Sequence, residues 1–173
     1  MKFFSGFSLR DESYLFNDYI DESLYTVCGF SYGAIKALDH VIKELKSGKR
    51  VDRLQLFSPA FFQNTDKKFK KLQLMAYTKN KQQYLSQFLK GCFYPYKLKI
   101  VQNIQTKKEE LEELLYYEWK YSELEALQNK DVIIEVYLGG KDSIVDALAS
   151  KRFFINHSTV TLVNDANHFL QTK

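Results

Sequence analysis

The segment Gly-Phe-Ser-Tyr-Gly at residues 29–33 constrains the fold of this chain more than any other feature of its sequence. An apolar run at 24–28 precedes it, which is typical of a buried strand, and a helical pattern of apolar residues follows it. That pattern ends at Gly48, a residue type that favours helix C-termini. A serine between glycines at such a junction predicts a sharp turn from strand to helix, with the hydroxyl of Ser31 raised above the end of a sheet.

Strand and helix patterns alternate on both sides of a long helical segment. The predicted strands occupy residues 2–5, 24–28, 53–57, 132–138 and 159–163. One helix is predicted between the first and second strands and one between the second and third. A further helix is predicted near residues 145–154. This alternation predicts an α/β protein with a mostly parallel sheet of about five strands and helices on both faces.

The middle of the chain, residues 61–128, loses the strand pattern and looks helical, with breaks at Gly91 and Pro95. We expect a single domain over residues 1–173, with a core formed by 1–60 and 129–173. The helical segment is then a lid insertion over the carboxyl ends of the strands, where open parallel sheets bind ligands.

The composition is that of a globular protein. Hydrophobic residues make up 45% of the 173 residues, which excludes intrinsic disorder and allows a core. No apolar stretch approaches the length of a membrane span, and residues 1–6 lack the apolar region of a secretory leader. Cys28 and Cys92 lie far apart without metal-like spacing, so we expect reduced thiols in a cytoplasmic protein.

Positive charge is concentrated in the first part of the lid insertion. Residues 65–108 contain eleven lysines and one acidic residue, whereas residues 109–125 contain seven glutamates and one lysine. Two interpretations stay open, a solvated face or a surface for an acidic macromolecular partner. Nucleic acid is the poorer candidate because no recognition motif for it accompanies the lysines. The candidate contacts for an acidic partner are Lys67, Lys68, Lys70 and Lys71.

One histidine is placed to act on Ser31. A serine hydroxyl becomes a nucleophile when a base accepts its proton, and histidine is the usual base. His40 lies in the middle of the helix after Ser31, and His157 precedes the last predicted strand. His168 follows that strand, which puts it at the carboxyl end of the sheet together with Ser31. The sequence therefore predicts Ser31 as nucleophile and His168 as base.

The acid that orients the histidine is expected in the loop after the strand at 132–138. We assign Asp142, which follows two glycines at the end of that strand, so that the chain order is Ser, Asp, His. Asp146 is the alternative acid, and capping of the next helix is its other interpretation. Asp165 is interpreted as a loop residue because it lies so close to His168 in the sequence.

An oxyanion hole needs two backbone N–H groups. One is predicted at Tyr32, the residue after the nucleophile, and the other at Phe7 in the turn after the first strand. A plain glycine turn around Gly6 is the alternative interpretation of that second segment.

At these residues the chain resembles the α/β-hydrolases. The elbow at 29–33, the Gly-Gly-x-Asp-x-Ile-Val loop at 139–145 and the Asn-His-Phe at 167–169 follow the order of that family across nearly the whole chain. The segment at 54–60 also resembles the strand after the elbow helix. The resemblance implies a minimal α/β-hydrolase fold with a helical lid, a serine hydrolase triad, and no metal or organic cofactor.

A narrower resemblance concerns the opening Phe-Phe-Ser-Gly-Phe-Ser-Leu at 3–9 and the elbow Gly-Phe-Ser-Tyr-Gly-Ala at 29–34. Both are similar to the small pimeloyl-acyl-carrier-protein methyl ester esterases of the BioV type, from biotin synthesis. This resemblance implies that the substrate is an acyl carrier protein bearing a methyl pimeloyl chain, docked on the lysine-rich lid. The rival hypotheses are a generic short-chain carboxylesterase or thioesterase and a non-catalytic binding protein on a hydrolase fold.

The chain departs from the α/β-hydrolase pattern in several ways, among them a short segment between Gly6 and Ser31 and Ser5 in place of the usual histidine before the oxyanion glycine. Only five strands are found where the family has eight. The sequence supplies five residues after His168 and no helix to brace its loop, so we expect a weakly anchored histidine.

Overall fold

The computed structural model describes all 173 residues, which form seven strands and six α-helices. The strands are β1 (Lys2–Phe4), β2 (Leu9–Arg10), β3 (Thr26–Phe30), β4 (Arg53–Phe57), β5 (Gln102–Asn103), β6 (Ile133–Gly139) and β7 (Thr159–Val163). The helices are α1 (Tyr32–Lys46), α2 (Lys67–Lys79), α3 (Lys81–Phe93), α4 (Lys108–Tyr116), α5 (Tyr121–Gln128) and α6 (Ala147–Phe154). No helix combines the length and the apolar character that are needed to cross a membrane.

Five of the strands form one parallel sheet in the order β1-β3-β4-β6-β7. The predicted fold class is thereby confirmed. Strands β4 and β7 have the predicted bounds, whereas β3 begins and ends two residues later than predicted. The register explains the shift, because Thr26 pairs with Arg53 and Phe30 pairs with Phe57, the last residue of β4.

The helix predicted between β1 and β3 is present only as one short 3-10 segment. It covers Glu12–Phe16. The N–H groups of Tyr19 and Ile20 both donate to the carbonyl of Phe16, at 2.8 and 3.0 Å, and this turn ends the helix.

A second, two-stranded antiparallel sheet joins the turn after β1 to the lid. Leu9 of β2 pairs with Asn103 of β5, and the Ile104 N–H donates to the Ser8 carbonyl at 3.0 Å. The Ser8 hydroxyl returns a hydrogen bond to the Ile104 carbonyl, also at 3.0 Å. The expectation of a purely helical lid was wrong at β5, because a two-residue strand is too short to show a periodic pattern.

Apolar side chains alternate between the two faces of the parallel sheet, as the pleat of a strand requires. On one face, Leu54 and Leu56 are buried with residues of α1 and of the lid, in a cluster of 30 buried residues. On the other face, Phe30 and Phe57 are buried with Phe16 in a cluster of 10. The free thiols Cys28 and Cys92 are buried in this smaller cluster.

The lid helices are joined to the core near the end of β3. The indole N–H of Trp119 donates to the Ala60 carbonyl at 2.9 Å. The hydroxyl of Tyr32, at the start of α1, donates to the carboxylate of Glu113 on α4. Burial, together with this carboxylate, raises the pKa of the Tyr32 hydroxyl, which keeps the hydroxyl protonated as a donor.

Candidate active site

Ser31 lies on a strained turn between β3 and α1. Its φ is +51° and its ψ is −114°, a conformation that non-glycine residues rarely adopt. A Cβ atom at Gly33 would collide with the carbonyl oxygen of Phe4, and one at Gly29 would collide with the backbone of Gly33. Only glycine therefore fits at either position, which is the physical reason for the motif around Ser31.

The turn is held by hydrogen bonds to the neighbouring strand. The Ser31 N–H donates to the carbonyl of Phe57 at 2.9 Å, and the Ser31 carbonyl accepts from Ala60 and Ala34 at 3.1 Å each. These bonds use only the backbone groups of Ser31. Its side-chain hydroxyl is therefore available to the side chain of His168. The residue is buried, with 5% of its surface exposed.

His168 connects Ser31 to Asp142. Its Nε2 atom lies 3.1 Å from the Ser31 hydroxyl oxygen, and its Nδ1 atom lies 2.6 Å from Oδ2 of Asp142. The side chains of His168 and Asp142 are both completely buried. The structure thus brings together the three residues predicted from the sequence, at distances that allow proton transfer between serine and histidine. Their catalytic roles stay a prediction.

The Asp142 carboxylate is held by the loop after β6. Its Oδ1 atom accepts hydrogen bonds from the N–H groups of Ile144 and Val145, at 2.7 and 3.1 Å, which leaves Oδ2 for His168. A Cβ atom at Gly139 would collide with the carbonyl of Asn167, so this loop lies directly against the histidine loop. Such close contact explains why glycine precedes Asp142.

The other acidic candidates have structural contacts instead. Asp146 accepts a hydrogen bond from the Ala149 N–H at 2.9 Å and caps α6, so its interpretation as a capping residue is confirmed. Asp165 forms an ion pair with Lys141 at 2.9 Å. Neither carboxylate is bonded to His168.

Asn167 anchors His168, and the expectation of a weakly held histidine was wrong. The side-chain amide of Asn167 donates to the Phe93 carbonyl at 2.8 Å and to Oε1 of Gln171 at 2.9 Å. Its oxygen accepts from the N–H groups of Phe169 and Gln171, both at 3.0 Å. The ring of Phe30 packs against the imidazole with ring centroids 5.0 Å apart. These hydrogen bonds hold the histidine loop in place of the C-terminal helix that the sequence lacks. The spacing of residues in the sequence does not predict them.

The two remaining histidines lie away from Ser31. His40 packs against the ring of Phe4, with centroids 5.3 Å apart, and His157 lies 3.2 Å from Oε1 of Gln128. No cluster of three or more histidine, cysteine, aspartate or glutamate side chains that could hold a metal ion is present.

The predicted oxyanion residues lie side by side. The Phe7 ring is 6.4 Å from the Tyr32 ring, and both residues are buried. The Phe7 N–H donates to no other protein atom, and the Tyr32 N–H begins α1, where no acceptor within the helix exists. Both donors are therefore available to a ligand, and their assignment to an oxyanion stays a prediction.

A cavity of about 380 Å³ lies between the lid and the carboxyl edge of the sheet. Ten of its thirteen lining residues are hydrophobic, and the polar ones, Gln73, Gln87 and Ser143, carry no charge. Phe7 lines one side, and Ile144, two residues after Asp142, lines another. The cavity therefore suits an uncharged, mainly apolar ligand; its lining includes Phe7 and Ser143, the neighbour of Asp142, and none of the three triad residues.

Three of the four lysines proposed for a partner lie on the lid surface. Lys67, Lys68 and Lys71 are exposed. Lys70 is 7% exposed, with its ammonium group 5.1 Å from the centre of the Tyr116 ring, so its assignment to a docking surface was wrong. The helical repeat turns Lys70 inward while its neighbours in the sequence face solvent.

Two further lysines join this surface. Lys79 and Lys108 flank, with Lys71, a shallow groove on the outside of the lid. We call Lys67, Lys68, Lys71, Lys79 and Lys108 the lid lysines. Nothing in the sequence distinguishes Lys79 and Lys108 from the other lysines, because packing of α2 against α4 brings them together over a long separation in the chain.

The chain is similar to known proteins in structure but not in sequence. No family model matches the chain, and no curated protein sequence matches it. Among solved structures, it is similar to the naproxen esterase (carboxylesterase NP) of Bacillus subtilis, with a TM-score of 0.54 and 18% identity over 96% of this chain. The chain spans only 62% of the length of that esterase.

Two further matches cover most of both chains. BioG from Haemophilus influenzae has a TM-score of 0.57 and 14% identity, over 97% of this chain and 87% of BioG. Est816, an N-acyl homoserine lactone degrading enzyme, has a TM-score of 0.62 and 12% identity, over 98% of this chain and 86% of Est816. With its parallel sheet, its serine elbow and these structural relatives, the chain has the α/β-hydrolase fold.

Proposed function

We propose that this chain is a serine carboxylic ester hydrolase. The observation that carries the proposal is the continuous hydrogen-bonded series from Ser31 through His168 to Asp142, with separations of 3.1 and 2.6 Å. The strained backbone of Ser31 supports it, because strain of about 1–3 kcal/mol at one residue is typical of functional sites.

The proposed reaction has two halves. Ser31 Oγ attacks the ester carbonyl carbon while His168 Nε2 accepts the hydroxyl proton, and the Phe7 and Tyr32 N–H groups donate to the oxyanion. Asp142 accepts the hydrogen bond from Nδ1–H and stabilises the imidazolium. The proton then passes to the departing alkoxide, which leaves an acyl-enzyme. Water, deprotonated by His168, attacks that ester and releases the acid and free Ser31.

For the substrate, we propose the methyl ester of a pimeloyl chain carried by an acyl carrier protein, with methanol as the leaving group. The uncharged cavity supports an acyl chain, and its volume of about 380 Å³ is in the range of small-molecule sites. The lid lysines support an acidic carrier, because α2 bears Lys67, Lys68 and Lys71 and also contributes Phe69 and Gln73 to the cavity. The fold likeness to BioG is compatible with this proposal.

A generic carboxylesterase or thioesterase is the second candidate. The likeness to the naproxen esterase and to carboxylesterase CesB of Bacillus subtilis, at TM-scores of 0.54 and 0.57, favours it. Such an enzyme would use the same triad and cavity and would need no carrier protein.

The experiment that tests the proposal is mass spectrometry of methyl pimeloyl carrier protein after incubation with the protein. We expect loss of one methyl group, and we expect Ser31→Ala to slow it on the order of a thousandfold or more, as in other triad knockouts. Ser31→Ala activity within tenfold of the wild type would contradict the mechanism. Rapid hydrolysis of a small nitrophenyl ester with no action on the carrier-bound ester would select the generic esterase.

Labelling with a fluorophosphonate tests the remaining alternative, a binding protein without catalysis. We expect one covalent adduct on Ser31 in the wild type and none in Ser31→Ala, because the reagent reacts with activated serines. A wild-type protein that resists labelling would contradict the hydrolase proposal as a whole.

A further inference from the structure

Glu12 is a buried acid that the proposed reaction does not use. It is the first residue of the 3-10 helix, and none of its surface is exposed. Its Oε1 atom accepts a hydrogen bond from the N–H of Gly6 at 2.7 Å, and its Oε2 atom has no hydrogen-bond partner. No lysine, arginine or histidine forms an ion pair with it.

Burial of the Glu12 carboxyl group is by itself unfavourable for the stability of the protein. Burial raises the pKa of Glu12, and the hydrogen bond from Gly6 only partly opposes that rise. A buried polar group with an unpaired oxygen costs stability. The bond from Gly6 has the largest effect among the hydrogen bonds that lower the pKa of Glu12, ahead of those from its own backbone N–H and from the Ser5 side chain.

Gly6 is held at both of its polar backbone groups. Its N–H donates to Glu12, and its carbonyl accepts from the Leu9 N–H at 3.2 Å. The Gly6 carbonyl and the Phe7 N–H belong to one planar peptide unit and point in opposite directions. Fixing the carbonyl therefore fixes the direction of the Phe7 N–H, and fixing the Gly6 N–H prevents the preceding peptide from rotating.

Apart from the Leu9 bond and the packing of the buried Phe7 ring, few contacts hold this turn. Gly6 has no side chain, and a Cβ atom there would lie 2.7 Å from the Phe30 ring, so no larger residue can supply contacts. The Phe7 N–H itself has no protein acceptor. On the lid side, the Ser8 bonds to Ile104 begin two residues further along the chain.

We propose that Glu12 is a positioning residue for the oxyanion hole: it holds the Ser5–Gly6 peptide in place, so that the next peptide, which the Leu9 N–H binds, keeps the Phe7 N–H directed at the reacting carbonyl. The inference rests on the proposed hydrolase function. Glu12 contacts no substrate, and it acts through the backbone of Gly6. An oxyanion donor that is misdirected is equivalent to one that is lost, which costs about 10²–10³ in kcat in a well-studied protease.

Three substitutions separate the effects of length, charge and packing. Glu12→Gln keeps an oxygen acceptor at the same reach and removes the charge. Glu12→Asp keeps the charge and withdraws the acceptor by one methylene. Glu12→Leu keeps the approximate bulk and leaves the Gly6 N–H without a partner. Positioning predicts that kcat falls in the order wild type, Gln, Asp, Leu.

The measurements are kcat and KM for a small nitrophenyl ester, each corrected for the folded fraction from circular dichroism. We expect kcat of Glu12→Gln within about threefold of the wild type, and kcat of Glu12→Asp at least tenfold lower with KM changed less than threefold. Glu12→Leu should approach a hundredfold loss in kcat. Should the Leu variant not fold, the Gln and Asp pair decides.

Two outcomes would overturn the proposal. Wild-type kcat per folded molecule in Glu12→Asp would make Glu12 a purely structural residue. A loss in Glu12→Gln equal to that in Glu12→Asp would mean that the charge acts rather than the hydrogen bond. The amide proton of Gly6, followed by NMR, should lose its hydrogen-bonded chemical shift in Glu12→Asp and keep it in Glu12→Gln.

These failures are distinguishable from failure of the hydrolase proposal. An inactive wild type that resists fluorophosphonate would remove the reaction, whereas an active wild type with the wrong order of variants would remove only the role of Glu12.

Discussion

The Nδ1 atom of His168 lies 2.6 Å from Oδ2 of Asp142, and both side chains are fully shielded from solvent. Because an ionised carboxylate only accepts hydrogen bonds, the contact assigns the imidazole proton to Nδ1. The other ring nitrogen, Nε2, is then free to accept the proton of Ser31 across 3.1 Å. The pair therefore selects the tautomer that a general base at this site needs.

Asp142→Asn should lower kcat far more than Asp146→Asn. The amide of asparagine favours the wrong imidazole tautomer, an effect of about four orders of magnitude in a well-studied protease. Asp146 caps α6 through the Ala149 N–H, so its loss should cost about 1 kcal/mol in the free energy of unfolding and leave kcat nearly unchanged. Steady-state kinetics and urea denaturation of both variants check this. The opposite ranking would assign the acid role to Asp146.

Asn167→Ala should lower kcat at least tenfold without altering Ser31. The substitution removes the four hydrogen bonds that hold the loop of His168, and so frees the imidazole to move away from the serine. It should also lower the free energy of unfolding by about 1–3 kcal/mol, because buried backbone groups lose their partners. Asn164→Ala is the matched control, since Asn164 is exposed in the same loop. Equal kcat in the two variants would disprove the anchoring role.

Changing Lys67, Lys68 and Lys71 together to Ser should lower kcat/KM for a carrier-bound ester and leave that for a small neutral ester unchanged. The positive charges accelerate encounter with an acidic partner, and salt screens them over about 10 Å at 0.1 M. Lys70 is left in place because it is buried. Kinetics on both substrates at low and high salt measure the effect.

The control for the lysine variant changes Lys43, Lys46 and Lys130 to Ser, which removes the same charge at the amino edge of the sheet. All three are exposed and lie outside the lid insertion at 61–128. A similar loss with the control set would mean that net charge acts rather than the lid surface. An equal loss on both substrates would mean that the lid lysines act through the position of the lid.

Glu12→Gln should change how stability depends on pH. The pKa of Glu12 is raised in the folded protein, so the folded state holds this proton more tightly than the unfolded chain, whose value is 4.5. The contribution of Glu12 to the free energy of unfolding is therefore complete below pH 4.5 and is lost as pH rises through the folded pKa. The variant lacks this loss, so its stability relative to the wild type should increase as pH rises above 4.5.

Urea denaturation across pH 4.5–8 measures that difference, with the pH range chosen to begin at the unfolded pKa of Glu12. Extending the series below pH 4.5 adds Glu44→Gln as a control of opposite sign, because the hydrogen bond from Lys49 lowers the pKa of the half-buried Glu44, whose contribution is lost as pH falls. A Glu12→Gln curve parallel to the wild type would show that Glu12 does not titrate differently on folding.

Several features could be predicted because their causes are local. The elbow around Ser31 needs glycine at position 29 whatever the rest of the protein does, since a Cβ atom there would collide with the backbone of Gly33 in the same turn. The alternation of strands and helices determines a parallel sheet, and a parallel sheet gathers its carboxyl ends at one edge. That rule selected His168 among the three histidines, and it placed Asp142 and its alternative Asp146 in one loop at the same edge.

Other features depend on residues that meet only in the folded chain. The pairing of β2 with β5 joins segments more than ninety residues apart along the chain, at Leu9 and Asn103. The burial of Lys70 depends on where α2 packs against Tyr116, and a run of lysines in the sequence does not show which one faces inward.

The sequence by itself determined the order and type of the chemical groups, because motif spacing and hydrophobic period are properties of the chain. Only the tertiary structure decided what holds those groups in place: Asn167 for the histidine loop and Glu12 for the turn before Phe7. Both act through hydrogen bonds to backbone atoms. Such bonds depend on distance and direction in space, and every residue offers the same backbone atoms, so no residue pattern records them.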